Sequence, residues 1–566
     1  MKRIALSLLL IMTLLFPTFG LTEALPDVAS FHKAEDTSPI TPERCNLSLQ
    51  LQDGVNTITR SGAYLVQGSC TGQLVVDAQD MDVYLLFNGV SITSSDGPAI
   101  HIKAANNVFI TLADGTENVL MDSPVYTLPA GEDEPDGALF SKADLSINGT
   151  GALRVTSQYN DGIVSKDSLV LAAANVTVTS KDDAIRGKDS VLLYQTILSI
   201  SAGGDGIKST NTEDASRGWV YIHNSNLSIV AQNDGIQAET QLYLNGGTYD
   251  ITSGGGSAPE HRQTVSAPVR KADRLNQPEE EVEADVDTES RKGIKATDIH
   301  VGSGMIIVNS RDDAIHANSS ITVYDGSFEL ASNDDGIHAD GSFTLTNGRI
   351  LITECYEGIE AAHILLSGGK TDVTAIDDGW NAASKAVTEA GQEKRERSHD
   401  FSIVVENGEH YILAGTDAID SNGSILINGG VTLAASSNDM KEVPIDYPIV
   451  CECRITGGTL IASGGYGKNT ANVNLAENQA CLLLKWKEWQ AAGTTVILTA
   501  DGRDILTAVP GAAFKTIIVS SPELQVGQTV TVTTEGMLSR SRAISESIMY
   551  FPVTESRGTR TIEKTE

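Results

Sequence analysis

The chain has 566 residues, of which 40 are Lys or Arg and 74 are Asp or Glu, so its formal net charge is −34 at pH 7. This charge argues against a nucleic-acid partner, whose phosphates would be repelled, and it favours cationic partners such as metal ions. With 52 Gly, 16 Pro and 5% aromatic residues, the composition fits an exported β protein.

Residues 1–24 have the features of a bacterial export signal. Lys2 and Arg3 precede an apolar run from Ile4 to Phe16, and Pro17 and small residues follow up to Ala24. The run is short for a membrane span, and no later apolar stretch is long enough to serve as one. We therefore expect a monomer that is secreted or held at the cell surface, with no transmembrane segment in the mature chain.

One short phrase is repeated through residues 151–430: an acidic residue, then Gly or Ala, then Ile. The copies are Asp161-Gly162-Ile163, Asp183-Ala184-Ile185, Asp205-Gly206-Ile207, Asp234-Gly235-Ile236, Asp313-Ala314-Ile315, Asp335-Gly336-Ile337, Glu357-Gly358-Ile359 and Asp417-Ala418-Ile419, with variants at Lys292-Gly293-Ile294 and Asp378-Gly379-Trp380. Most copies lie 21 or 22 residues apart, which is typical of a solenoid. Residues 25–150 are predicted to form an N-terminal cap and irregular first coils, because terminal repeats depart from the consensus.

The stretches between the phrases alternate apolar and polar residues with period two, as at 169–171, 176–178, 321–323 and 328–330. Turns of Gly, Asn, Asp and Ser separate these stretches. Together with the strand that closes each phrase, they give three short strands per coil of about 22 residues. The prediction is an all-β fold, a single-stranded parallel β-helix, right-handed because parallel crossovers nearly always are. Leucine-rich repeats are the competing interpretation, but their regular Leu/Asn signature is missing.

Two polar insertions interrupt the regular coils, at residues 253–290 and 381–400. Both leave the array next to a repeat phrase, so they project on the acidic face and could fold over a ligand, although tolerated surface loops are the simpler interpretation. Residues 431–538 are assigned to last coils or a β cap. Residues 539–566 are a polar tail that is expected to be poorly ordered.

The six cysteines of an exported chain permit disulfides, although six are too few for a framework. Cys45 and Cys70 lie roughly one coil apart and could staple the cap. Cys451, Cys453 and Cys481 offer one more bridge near the other end. Cys355 precedes a repeat phrase and is expected to be a buried free thiol.

The phrase predicts a ladder of carboxylates, because equivalent residues in a β-helix stack at about 4.8 Å. Neighbouring unit charges at that distance repel by about 3 to 4 kcal/mol at an effective dielectric of 20. Carboxylates with backbone carbonyls at turns are ligands that calcium prefers, so calcium between coils is the hypothesis. The predicted metal ligands are Asp182, Asp183, Asp205, Asp234, Asp312, Asp313, Asp334, Asp335, Asp377, Asp378 and Asp417.

Turn chemistry is the alternative explanation, since Asp followed by Gly is a good turn sequence. It suffices for any single Asp, whereas calcium is favoured for the doubled positions as a set.

The residue after each Ile should point outward, because the Ile points in. That position reads Val164, Arg186, Lys208, Gln237, Lys295, His316, His338, Glu360, Asn381 and Asp420. Its basic members, Arg186, Lys208 and Lys295, with His316 and His338, are the predicted carbohydrate-binding residues. They could pair with an anionic sugar polymer while calcium bridges its uronate carboxylates. The alternative, that these bases pair with the neighbouring Asp row, stays open.

Several segments resemble a bacterial family of exported carbohydrate-binding β-helix proteins first described from a cellulolytic clostridium. They are Asp378-Gly379-Trp380-Asn381-Ala382, the stretch 417–424 leading to Asn428-Gly429-Gly430, Lys292-Gly293-Ile294-Lys295-Ala296 with the Gly-rich loop before it, and Ser520-Ser521-Pro522-Glu523-Leu524. The similarity covers roughly residues 45–535. It implies a polysaccharide-lyase-like β-helix that binds calcium and acidic or cellulose-like plant polysaccharides, and it implies no enzymatic activity.

The expected function is therefore non-catalytic, calcium-dependent binding of a plant or bacterial polysaccharide. The alternative is a polysaccharide lyase that uses calcium to acidify the proton next to a uronate carboxyl, with Arg186, Lys208 or Lys295 as base. A structural surface stalk or adhesin is the third possibility. Fold analogy alone cannot choose among them.

Overall fold

The computed structural model describes residues 25–257, 289–383, 385–387, 393–395, 399–436, 443–448, 450–465, 479–525, 528–535 and 559–561. The predicted export signal, most of the first insertion and most of the tail lie outside these residues. The described part is all-β, with two single-turn 3-10 helices at Val28–Ser30 and Pro42–Arg44. The prediction of an all-β fold is confirmed.

One large, mostly parallel sheet contains 38 of the described strands. Its first strands are Leu47–Gln50, Gly54–Ile58, Gly62–Asp77, Asp82–Thr93, Ile100–Ala104, Asn107–Leu112, Glu117–Met121, Gly137–Ser141 and Asp144–Asn148. The next are Ala152–Thr156, Asp161–Ser165, Ser168–Ala172, Asn175–Ser180, Ile185–Gly187, Ser190–Tyr194, Ile197–Ala202, Ile207–Ser209, Trp219–Ala231, Ile236–Gln237, Gln241–Ser253, Ile294–Ser310, Ile315–Val323, Ser327–Ser332, Ile337–Leu345, Arg349–Glu354, Ile359–Leu366, Lys370–Ala375, Trp380–Ala382, Ser402–Val405, Glu409–Ala414, Ile419–Ser421 and Ser424–Ile427. The last are Val431–Ala435, Ile445–Asp446, Cys453–Ile455, Thr459–Gly464, Cys481–Gln490 and Phe514–Ser520.

Neighbouring strands of this sheet are one sequence repeat apart. Ile185 lies opposite Ile163 on one side and opposite Ile207 on the other, in parallel register. The other two strands of the repeat follow the same rule, since 168–172 pairs with 190–194 and 175–180 pairs with 197–202. Three parallel series of strands therefore run through the repeats, and each repeated side chain lies beside its counterparts.

The repeated Ile residues form one column of the main hydrophobic core. This column reads Ile163, Ile185, Ile207, Ile236, Ile294, Ile315, Ile337, Ile359, Trp380, Ile419 and Ile445, all buried. Because strand residues alternate between two faces, the residue after each Ile points away from the core. The position of the buried Ile column therefore determines where the outward-pointing residues after each Ile lie.

The C-terminal part changes from parallel to antiparallel pairing. Phe514–Ser520 pairs antiparallel with both Thr459–Gly464 and Cys481–Gln490. A separate four-stranded sheet consists of Arg503–Ala508, Thr495–Ala500, Thr529–Glu535 and Thr559–Thr561. A second hydrophobic cluster, which includes Val496, Leu498 and Val519, packs between these elements. Of the predicted tail, only 559–561 is described, as an edge strand of this small sheet.

Within the second predicted insertion, Lys385–Val387 and Glu393–Arg395 form a two-stranded antiparallel hairpin. The rest of the stretch 384–398 lies outside the described residues. Among those that are described, no helix is long and apolar enough to cross a membrane.

An N-terminal strap, residues 25–44, lies across the outer face of the sheet. Phe31 packs edge-on against Trp219 and Tyr221, with ring centroids 4.8 and 4.9 Å apart. Further along the strap, Lys33 Nζ donates to Asn107 Oδ1 at 2.7 Å, and the Ile40 N–H donates to the Thr111 hydroxyl at 3.1 Å. The strap covers an apolar patch of the outer face that the repeats would otherwise expose.

All six cysteines are free thiols, so the expected bridges are absent from the structure. The register explains Cys45 and Cys70: Leu47 lies opposite Tyr64, which places Cys45 level with Gly62. Cys70 is eight residues further along the chain, past the positive-φ Gly68, so the two cysteines do not lie opposite each other. For Cys453 and Cys481, burial raises the pKa of each thiol to about 12, which disfavours the thiolate needed to form a disulfide. The buried thiol expected at Cys355 is confirmed.

Replacing Trp380 with Ala tests whether the buried column of Ile residues and Trp380 stabilises the fold. Trp380 is fully buried and takes the place of Ile in its repeat. We expect the free energy of unfolding to fall by about 3–5 kcal/mol, the usual cost of a large buried cavity, in urea titrations. The control is Val125→Ala, because 67% of Val125 is exposed. An equal loss in both variants would contradict the assignment of Trp380 to the core.

Candidate cation and polysaccharide site

The acids of the repeat phrase form a row, here called the acidic ladder, in which Lys292 takes the place of the acid in one repeat. Its backbone links are regular: the Asp183 N–H donates to Asp161 Oδ1 at 3.2 Å, and the Asp205 N–H donates to Asp183 Oδ1 at 2.8 Å. The same bond joins Asp335 to Asp313 at 3.0 Å. One oxygen of each of these carboxylates therefore caps the backbone of the next repeat, as turn chemistry requires.

The residues after each Ile form a second row, here called the charged column, beside the acidic ladder. Successive members lie directly opposite one another in the parallel register. The members are Val164, Arg186, Lys208, Gln237, Lys295, His316, His338, Glu360, Asn381, Asp420 and Asp446. The column changes from basic to acidic as it approaches the C-terminal end.

In the N-terminal half, basic side chains of the charged column neutralise the acidic ladder. Arg186 pairs with both Asp136 and Asp161, and the Asp161 contact is 2.6 Å. Lys208 Nζ lies 2.6 Å from Asp205 and 3.7 Å from Asp183. Lys295 Nζ continues the pattern at 3.6 Å from Asp234. These ion pairs bring positive charge to this half from within the protein, although burial still raises the pKa of Asp161 to about 7 and that of Asp183 to about 6. Calcium at Asp183, Asp205 and Asp234 stays a prediction.

The same pairs weaken the case for a lyase base. Burial by itself would lower the pKa of Arg186 and of Lys208, but the neighbouring carboxylates outweigh it and raise both. A general base must be deprotonated near the working pH. Both side chains are held in their protonated form, and the side chains of Arg186, Lys208 and Lys295 are only 18–27% exposed.

In the middle of the array, two stacked histidines bind the ladder. The His316 and His338 rings are 4.8 Å apart and nearly parallel. His316 Nδ1 lies 2.8 Å from Asp313, and His338 Nδ1 lies 2.9 Å from both Asp335 and Glu360. Burial would lower the pKa of His338, but its bonds to carboxylates prevail and raise it to about 12. His338 is therefore a protonated ion-pair partner.

Four predicted ligands are the first acids of the doubled positions. Asp312 accepts the Arg291 N–H at 2.8 Å, and Asp377 accepts the Thr416 hydroxyl at 2.8 Å. The main-chain oxygen of Asp182 accepts the Gly204 N–H at 3.0 Å. Asp334 is exposed, with a carboxylate close to those of Asp313 and Asp335.

At the C-terminal end, acids stand in both rows. Burial, then the charge of Glu360, raises the pKa of Glu357 to about 8. Burial and the charges of Asp378, Asp420 and Asp446 raise the pKa of Asp417 to about 8, although it accepts the Val443 N–H. Neighbouring carboxylates therefore add to the effect of burial on the pKa at this end, although Glu360 is also paired with His338.

Three groups of side chains among the described residues could hold a metal ion: Asp335–His338–Glu360, Asp313–Asp334–Asp335 and Asp417–Asp420–Asp446. The first two contain carboxylates already bound by His338, or by Lys292 and His316. The third offers three carboxylate oxygens within 4.8 Å of one another. An all-oxygen donor set suits calcium, so the third group fits a calcium ion best.

The sequence analysis placed Asp417 among the ligands and named Asp420 only as an outward-pointing residue, and it missed Asp446. Asp446 follows no copy of the repeat phrase, and only its register opposite Asp420 reveals it. Asp378 lies one rung away, where its Oδ1 accepts the Asp417 N–H at 2.9 Å.

The fold and these two rows define an all-β repeat protein with one continuous charged face. A family model described as carbohydrate-binding domain-containing protein matches residues 52–336 and 325–440. The chain belongs to this family.

A carbohydrate-binding domain-containing protein of Acetivibrio thermocellus is 34% identical over 201 residues, which are 35% of this chain and 70% of that protein. The chain is also similar to a solved structure described as a polysaccharide lyase-like protein from C. thermocellum, in a gadolinium derivative. The identity is 29%, the coverage is 37% of this chain and 91% of the other, and the TM-score is 0.35.

Arg186→Met tests whether ion pairing holds the ladder. The substitution leaves Asp136 and Asp161 without their shared cation, so we expect a loss of about 3–5 kcal/mol in the free energy of unfolding. Denaturant titration measures it. Lys188→Met is the control, because the Lys188–Glu213 pair is 3.9 Å long and largely exposed, and such pairs contribute about 0–1 kcal/mol. A small loss for Arg186→Met would show that something else compensates the ladder.

Glu357→Gln tests the crowding of negative charge. A carboxyl with a folded-state pKa near 8, against an ordinary value of 4.5, binds more protons in the folded state. Its stabilising contribution is therefore present at low pH and is lost as pH rises toward 8. Between pH 4.5 and 8, we expect the melting temperature of Glu357→Gln to fall less steeply than that of the native protein. Near pH 8, the melting temperature of the variant should be the higher of the two. Melting is followed in chelator.

The exposed Glu329→Gln is the matched control. Parallel pH profiles for the native chain and Glu357→Gln would refute the raised pKa.

Proposed function

We propose that the protein is a non-catalytic, calcium-dependent polysaccharide-binding protein, secreted or held at the bacterial cell surface. The observation that carries this proposal is the group Asp417–Asp420–Asp446 at the acidic end of a charged face in a chain of the carbohydrate-binding family. The polysaccharide is acidic and pectin-like, or cellulose-like.

The fold we propose is a right-handed, single-stranded parallel β-helix. The support is the register: each of three strand series advances by one repeat of about 22 residues. Handedness follows from the general preference of parallel crossovers. Such a coil presents equivalent side chains at intervals of about 4.8 Å along a rigid face, which suits a polymer with a repeating charge.

Calcium would be held by Asp417, Asp420 and Asp446, with Asp378 on the adjoining rung. The ion would relieve the repulsion that raises the pKa of Asp417, and its remaining coordination positions could accept carboxylate oxygens of a uronate chain. Calcium would thus supply the positive charge that the C-terminal half of the column lacks, as Arg186 and Lys208 do in the N-terminal half.

The lyase and the surface stalk are less well supported. Two of the three candidate bases, Arg186 and Lys208, are paired with buried carboxylates that hold them protonated. A stalk needs no cluster of acids, and membership of a carbohydrate-binding family favours retention of a glycan.

Asp417→Asn and Asp446→Asn test the calcium site. Calorimetric titration of the chelator-treated protein should give a calcium-binding event that either substitution weakens at least tenfold, because each removes a charged ligand. Retention on a polygalacturonate gel should need calcium and should fall in the same variants. Excess calcium should also raise the melting temperature of the native chain.

Asp250→Asn is the control, since Asp250 is exposed and lies outside all three acidic groups. Calcium binding that is unchanged in both Asp417→Asn and Asp446→Asn would remove this site from the proposal. Absence of any calcium-dependent retention on the gel would overturn the proposed function.

A further inference from the structure

A groove of about 1100 Å³ lies on another face of the protein, away from the charged column. One side is formed by five neighbouring strands, Arg349–Glu354, Lys370–Ala375, Glu409–Ala414, Val431–Ala435 and Thr459–Gly464. The other side is the segment 507–511, which begins with the last two residues of Arg503–Ala508 in the small C-terminal sheet. This segment lies beyond residue 440, where the family match ends.

The floor of the groove is a row of stacked glycines at successive turns. It includes Gly348, Gly369, Gly408 and Gly430, all with positive φ between 72° and 112°. A Cβ on Gly348 would lie 2.6 Å from the Gly326 carbonyl oxygen, and one on Gly430 would lie 2.7 Å from that of Gly408. Side chains are thereby excluded along about 14 Å of turns, which is three steps of about 4.8 Å each.

Apolar surface lines the groove beside this floor. Tyr411 lies opposite Leu433, which lies opposite Ile461, in one outward row. The segment 507–511 reaches over this row, since a Cβ on Gly511 would lie 2.3 Å from the Tyr411 hydroxyl. An aromatic ring with aliphatic neighbours and a polar tip suits a ligand with one apolar and one polar face.

The charged side chains of the groove cancel. Lys370 Nζ lies 2.7 Å from Glu409, and both side chains are more than half exposed at the mouth. Asp372 lies opposite Tyr411, and the charge of Arg349 partly offsets the burial that raises the Asp372 pKa. Burial lowers the pKa of His410 to about 4, so this side chain is neutral at pH 7. Two cations and two anions leave no net charge, and a polyanion gains nothing here.

We propose that this groove is a second, calcium-independent binding site for a neutral sugar chain. Sugar rings would lie along the glycine floor with an apolar face against Tyr411 and Leu433. Their hydroxyls would bond to Arg349, Asp372 and the Lys370–Glu409 pair, which offer both donors and acceptors. The inference rests on the proposed function, because it assumes that the protein handles glycans, but it uses none of the residues of the calcium site.

The test is calorimetry on the full chain in excess chelator, with cellohexaose as the neutral probe and hexagalacturonate as its acidic counterpart. We expect cellohexaose to bind without calcium and hexagalacturonate not to bind under the same conditions. Tyr411→Ala should weaken cellohexaose roughly tenfold, the scale of a lost aromatic contact. Tyr411→Phe, which keeps the ring, should retain most of the affinity.

A second variant guards against misfolding of the tyrosine substitution. Asp372→Ala should also weaken cellohexaose, whereas Asp250→Ala should not. Asp250 belongs to the same outward row, four strands before Asp372 in the register and outside the groove. Cellohexaose binding that is absent, that needs calcium, or that survives both Tyr411→Ala and Asp372→Ala would overturn the inference.

The two proposals fail separately. Calcium-dependent retention of polygalacturonate without cellohexaose binding would leave the proposed function in place and remove this site. Loss of both would remove both.

Discussion

Parallel stacking at the sheet spacing places every repeated side chain against its own kind in the neighbouring repeats. For Ile163, Ile185 and Ile207 this is favourable, since like apolar groups pack well. For Asp161, Asp183 and Asp205 it is costly, because equal charges come within about 5 Å. Local contacts reduce this repulsion. One carboxylate oxygen accepts a backbone N–H, and the other lies close to a basic side chain of the charged column. The properties of the rest of this face depend on where the charged column stops providing basic side chains.

The two ends of the face consequently differ in what they can do. Around Arg186 and Lys208, acidic side chains of the ladder are paired with basic side chains of the protein itself. Toward Asp417 the column itself becomes acidic, and the cation that we propose there comes from solution. A groove with balanced charge stands elsewhere, built partly by residues beyond the family match. The two sites that we propose would let one scaffold bind an acidic polymer at one surface and a neutral polymer at another.

The repeat phrase predicted much of this, because a period of 22 residues fixes both the parallel pairing and the two adjoining rows. It could not decide between calcium and ion pairs. Arg186 reaches Asp136 and Asp161, which are 50 and 25 positions earlier, and such reach depends on side-chain conformation. The sequence analysis missed Asp446 because no copy of the repeat phrase precedes it. It missed the groove because no sequence pattern connects Tyr411 with segment 507–511. The bridge suggested between Cys45 and Cys70 is absent because residues about one repeat apart in sequence need not lie opposite each other in the strand register.

The N-terminal strap has a consequence for how the chain is made. Phe31 rests on Trp219 and Tyr221, nearly two hundred positions further along the chain. Synthesis delivers the N-terminus first, so Phe31 emerges long before the rings on which it packs. The part of the strap near Lys33 and Ile40 can bind early, to Asn107 and Thr111, whereas the contacts of Phe31 can form only after the strand Trp219–Ala231 has joined the sheet.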